Sequence, residues 1–237
     1  MAILHSSADL APETPAPDVH VPAEAHTLDG FREWFDSPEF PETGRIDYLA
    51  GEVVVDMNAE ELFTHNAVKL AVAAEFLRIS TEEEWAEVFI DGARIVSEEA
   101  DLSVEPDVVL VTHESFSSGR VQILPAKRSK RLMELGSAPD LVVEVISDSS
   151  VGKDRRRLPP LYARAGVREL WLIDGRWDEL DFALWQRRPS KGAFPRATTD
   201  SDGWLQSLVL GRRIRLRRQM NQFLGPGSWR YKLETSP

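Results

Sequence analysis

Two acidic side chains stand where acids are costly. In Pro106-Asp107-Val108-Val109-Leu110-Val111, strand alternation places Asp107, Val109 and Val111 on one face and Val108 and Leu110 on the other. In Leu141-Val142-Val143-Glu144-Val145-Ile146, Glu144 shares a face with Val142 and Ile146, and the opposite face is apolar as well. Strands apolar on both faces are central and covered on both sides. An ionised carboxylate there costs several kcal/mol unless it is paired or bound to a cation. A single buried acid is ordinarily half of a structural ion pair. Two on neighbouring central strands repel each other, and one divalent ion relieves both penalties. Oxygen ligands favour a hard cation, Mg²⁺ or Mn²⁺. Such an ion polarises a phosphoryl group and lowers the pKa of a water.

The elements that must position these acids read as one mixed α/β domain over residues 27–237, preceded by an acidic, Pro-rich tail over 1–26. Thr27 is a candidate N-cap for a short helix whose apolar face is Leu28, Phe31, Trp34 and Phe35. Arg45 to Met57 reads as a hairpin turning at Ala50-Gly51. From about Glu61 to Ser80 a helix has Phe63, Ala67, Leu70, Ala74 and Leu77 on one side and Val68, Val72, Phe76 and Ile79 on a second. A helix apolar on two sides needs two covers, and a subunit interface is a candidate for one.

Strands are expected at about 85–91, 94–97, 105–112, 141–147, 169–174 and 180–186. A short helix before Glu169 takes Pro159 and Pro160 in its first turn and Gly166 as its left-handed cap. At the far end, strands at 204–210 and 213–216 and a basic helix near 217–224 are expected.

Cysteine is absent, which excludes disulfides, thiolate nucleophiles and Cys-ligated metal. No apolar run is long enough to span a bilayer, so a cytoplasmic protein is expected, with no membrane partner. The net charge of −11 conceals an asymmetry. Residues 1–115 carry 26 acidic and 5 basic side chains; residues 116–237 carry 13 and 23. Basic clusters at Lys127–Arg131, Lys153–Arg157 and Arg212–Arg218 read either as solvated surface or as a phosphate-tracking face.

Around the acids the sequence resembles the Uma family of restriction-endonuclease-like proteins, a branch of the PD-(D/E)xK nuclease superfamily. The likeness rests on Pro106-Asp107, Pro139-Asp140 through Glu144 to Ser147, Asp154, Tyr162, Ala165-Gly166-Val167 and Glu169 to Asp174. It extends to Asp47 through Val53, to His65, and to Gly203 through Leu216, about 175 residues in all. The resemblance implies a restriction-endonuclease-like core, a mixed sheet flanked by helices, often assembled as a homodimer.

It also implies a metal-dependent endonuclease acting on nucleic acid, taken as DNA, with Asp107 and Glu144 binding the metal and the Val145 carbonyl as a further ligand. The family's lysine, four residues after the Asp of the following helix, falls on Leu158 here. Leucine can neither orient a water nor stabilise charge on phosphate. Lys153 and Arg157 are the cations that could replace it, though arginine is a poor base.

The likeness places His65 beside the cleft, whereas its own pattern reads equally as a core or interface histidine. Glu52 is either a solvated turn acid or a third metal-site carboxylate. The rival reading of the whole chain is a catalytically silent, dimeric binding module that keeps the fold.

Overall fold

The computed structural model describes residues 19–126, 131–188 and 194–236. Most of the expected tail, 1–18, and most of the first basic cluster, 127–130, lie outside the described residues. In chain order the strands are β1 (Arg45–Leu49), β2 (Glu52–Asp56), β3 (Ala86–Ile90), β4 (Arg94–Ser97), β5 (Leu102–Val104), β6 (Val108–Thr112) and β7 (Gln122–Pro125). They continue with β8 (Leu132–Gly136), β9 (Leu141–Val145), β10 (Glu169–Asp174), β11 (Asp181–Gln186), β12 (Leu205–Ser207), β13 (Arg212–Met220) and β14 (Trp229–Ser236). The α-helices are α1 (Leu28–Phe35), α2 (Ala67–Glu83), α3 (His113–Ser117) and α4 (Leu158–Ala165).

A five-stranded sheet, β11-β10-β9-β6-β3, forms the centre. β9 and β10 run parallel, joined through α4; the other pairs are antiparallel. One face buries Val109, Val111, Val142 and Ile146 against Leu49, Ile95 and Leu102 of a six-stranded sheet, β2-β1-β5-β4-β8-β7, and against Leu158 and Tyr162 of the α4 region. The other face buries Val108, Leu110, Val143 and Val145 against Val68, Val72 and Phe76 of α2 and against Ile214, Leu216 and Leu233 of the sheet β12-β13-β14. A smaller aromatic cluster, Phe31, Trp34 and Tyr48, seats α1 on the outer side of β1.

Capping follows local chemistry. The Thr27 hydroxyl accepts the Gly30 N–H, and Gly166 closes α4 at φ 98°, where a Cβ would be strained. The helix containing His65 opens as a π-helical turn, Leu62–Asn66, because the Glu61 carboxylate takes the N–H groups of Phe63 and Thr64. Of the two apolar stripes on this helix, Val68, Val72, Phe76 and Ile79 are buried, whereas Leu70 and Leu77 remain 66% and 59% exposed.

Four expectations need correction. The basic helix near 217–224 is absent: β13 continues to Met220 and pairs with β14 in register from Arg213↔Ser236 to Met220↔Trp229. The period of two set by Ile214 and Leu216 outweighs the helical reading. The strand expected from 105 begins at Val108, since Pro106 has no N–H for a ladder; a separate strand, β5, precedes it. β7 and β8 were unforeseen. Finally, residues 19–26 are packed, with a short 3₁₀ turn at Ala23–His26 and Ala25 fully buried.

Candidate active site

β6 and β9 pair through Val108↔Val143, so one further step of the ladder sets Asp107 opposite Glu144. Both side chains belong to the face shared with the six-stranded sheet, and both are buried. Their partners differ. Asp107 accepts from Arg45 Nη2 at 2.8 Å and from the Val145 N–H at 2.6 Å. Glu144 Oε1 accepts from Tyr162 Oη at 2.5 Å, and among the described residues Oε2 has no hydrogen-bond partner. The metal-sharing picture is thus modified at Asp107, where a guanidinium already supplies part of the compensating charge.

Their protonation diverges accordingly. Burial pushes the Asp107 carboxyl up, but Arg45, His65 and the Val145 N–H outweigh it and hold the group below the usual carboxylate range. Burial, with Asp154 alongside, pushes Glu144 well above its ordinary value. Asp154 is itself raised to about 6, chiefly by burial, and among the described residues its Oδ1 has no hydrogen-bond partner.

Lys153 lies among these acids. Its buried ammonium reaches Asp47 Oδ2 at 2.7 Å and Asp154 Oδ1 at 3.8 Å. Burial alone would lower its pKa; Asp47, Glu144 and Asp154 raise it instead, so it stays charged. Leu158 is fully buried in the core. The other cation considered for its place, Arg157, pairs with Glu52 at 2.9 Å, and Glu52 is 63% exposed at the side chain. Neither joins the acid cluster.

A second donor group overlaps the first. Ligand atoms of Glu60, His65 and Asp107 lie within 4.8 Å of one another. Cations already occupy that neighbourhood: Arg45 is 3.5 Å from Glu60, and Lys69 bonds Glu60 and Asp91 at 2.7 and 2.9 Å. The orphan oxygens of Glu144 and Asp154 make the Asp107–Glu144 side the better fit for an added ion. A cavity of about 240 Å³ opens beside the cluster, with Arg45, His65 and Lys153 in its wall; Arg45 and His65 of that wall contact Asp107.

Arg45, Glu60 and Lys69 were not singled out from the sequence, whereas Asp47 lay in the stretch that resembles the family. Each sits in ordinary polar surroundings along the chain and acquires its role only when the β1–β2 hairpin and α2 meet β6. Asp154 and Tyr162 had a signal, as motif positions.

Paired buried acids on the central strands of a helix-flanked mixed sheet, with a lysine beside them, define a nuclease-like α/β protein. Residues 29–217 match the family model Uma2, described as "Putative restriction endonuclease", and the chain belongs to that family. A solved structure from Anabaena variabilis, titled a "putative nuclease belonging to DUF820", is similar with a TM-score of 0.56 and 18% identity, over 78% of this chain and 90% of that one. No curated protein matches the chain. Among the described residues, no helix is long and apolar enough to cross a membrane.

Proposed function

We propose that this chain is a metal-dependent endonuclease that hydrolyses phosphodiester bonds in DNA, with the segment from residue 19 onward acting as one domain in the cytoplasm. The observation that carries the reading is the juxtaposition of Asp107 and Glu144, with an unpartnered Glu144 oxygen deep in the central sheet. Asp107, Glu144 and the Val145 carbonyl would hold Mg²⁺ or Mn²⁺, with Asp154 adjacent. A bound ion of this kind supplies Lewis acidity to a phosphoryl oxygen and makes water nucleophilic near neutral pH.

The chain's own residues do the rest. Lys153, charged and in the cavity wall, stabilises negative charge on the phosphoryl group; a lysine held this firmly protonated is no base. Asp47 fixes its ammonium. His65, with Nε2 3.5 Å from Asp107 Oδ1, positions that carboxylate. Tyr162 orients Glu144. The test is plasmid nicking with Mg²⁺ or Mn²⁺. Asp107→Ala and Glu144→Ala should each abolish it, and undiminished nicking in both variants would remove this site as the catalyst.

One observation favours the silent-module reading: Arg45 is bound to Asp107, so that acid already has a cation as partner. Thermal melting separates the two. An ion that binds only the native state raises the midpoint. An upward shift in millimolar Mn²⁺, lost in Glu144→Ala, is expected of the nuclease; no shift in the wild type supports the module. A homodimer through the exposed Leu70–Leu77 stripe completes the proposal.

A further inference from the structure

The loop between β10 and β11 presents Trp177 with 68% of its surface exposed, in a chain that buries Trp34 and Trp171. Its backbone is fixed from several sides. Arg218 donates to the carbonyls of Gly175 and Trp177 at 3.0 and 2.5 Å. The Arg176 side chain bonds Asp174 and Asp148 at 2.9 and 2.7 Å, and its guanidinium lies 5.6 Å from the Trp177 ring centre. There is no slack beneath: a Cβ on Gly175 would come within 2.9 Å of Tyr231 Oη and 3.1 Å of the Thr64 carbonyl. An indole left in water by a loop this well anchored is presented rather than merely untidy.

Trp177 and Arg176 line a cavity of about 590 Å³. His65, Ser147 and Ser149 line it too, and these same three line the cavity beside the acid cluster. The indole therefore stands at the rim of a recess that shares a wall with the one that contains Lys153.

We propose that Trp177 is a stacking platform for one nucleobase of a single-stranded substrate, holding the nucleotide beside the phosphate to be cleaved. The inference rests on the phosphodiesterase reading above and narrows its substrate class. A flat face with a neighbouring guanidinium accepts any base, because stacking needs only a π-surface. Within a duplex both faces of a base are covered by its neighbours, so a base meets the indole only where the strand is single or unstacked. The preference expected is for single strands over intact duplex, without base identity being read.

The experiment compares wild type, Trp177→Ala and Trp177→Phe for binding of fluorescein-labelled oligo(dT), oligo(rU) and a DNA duplex by anisotropy in Ca²⁺, with cleavage measured separately in Mn²⁺. Trp177→Ala should weaken oligo(dT) binding about tenfold and Trp177→Phe much less. Duplex binding, gel-filtration volume and the Mn²⁺-induced melting shift should stay unchanged. If the wild type binds and cleaves oligo(dT) and Trp177→Ala does so equally well, the platform is overturned and the nuclease reading stands. If Trp177→Ala instead moves the elution volume toward a smaller species, Trp177 is a subunit contact and the platform is likewise overturned. If the wild type neither binds nor cleaves any of the three probes, both inferences fall together.

Discussion

Lys153 and Leu158 lie on one continuous helical stretch, one with its ammonium among buried acids and the other wholly inside the core. The proposed chemistry follows the charge, not the family position. Lys153→Met should slow plasmid nicking by about 10²-fold or more in single-turnover assays, the scale of losing a preorganised electrostatic contact. Arg157→Ala should stay near wild type, because that guanidinium is engaged with Glu52. Leu158→Lys would bury an unpaired ammonium and should cost about 3 kcal/mol in urea denaturation without restoring activity to Lys153→Met. The paired acids were legible because a charge in a two-sided apolar strand contradicts its surroundings. Arg45 was not, since a charged residue in a half-polar hairpin contradicts nothing until Asp107 is brought to it, and Asp47 had a signal only through the family resemblance.

At the level of elements, the strong periodicities were readable: the β1–β2 hairpin, α2, β9, β10 and the α4–Gly166 cap. What escaped was short or highly charged. β5 has only the residues Leu102–Val104. β13 runs past the strand expected at 213–216 because the arginines on either side of Ile214 and Leu216 mask an alternation that becomes clear only beside β14. The end of β10 offers a pH test. Asp174 accepts from Arg176 and Arg155, which outweigh its burial and lower its pKa to about 2. A folded value below the unfolded one means the stabilisation is complete above the ordinary carboxylate pKa and is lost as pH falls through about 2. Asp174→Asn should therefore melt below wild type at pH 7, and the gap should close as the solution is acidified from pH 5 toward pH 2.

Across the whole molecule the oppositely charged halves are stitched together by ion pairs: Arg32–Glu134, Asp47–Lys153 and Glu52–Arg157 each join the acidic half to the basic one. Much of the segregated charge seen in the sequence is thus consumed internally. Arg215 and Arg217 also face Glu234, so the basic clusters form a less open surface than their sequence suggests. The apolar stripe on α2 is different, since Leu70 and Leu77 have no cover within the described chain. Light scattering should report a dimer for the wild type, and Leu70→Glu with Leu77→Glu should shift it to monomer while leaving far-ultraviolet circular dichroism intact.

The contact between Asp47 and Lys153 closes a loop of 106 residues. Closing so long a span carries an entropic penalty that nearby contacts cannot defray, and such pairings are late events in folding. While the polypeptide is being synthesised, the hairpin leaves the ribosome long before its lysine partner. A chain that ends before Lys153 holds Asp47 without its ammonium, so the proposed site is incomplete until that lysine has been made and brought to the hairpin.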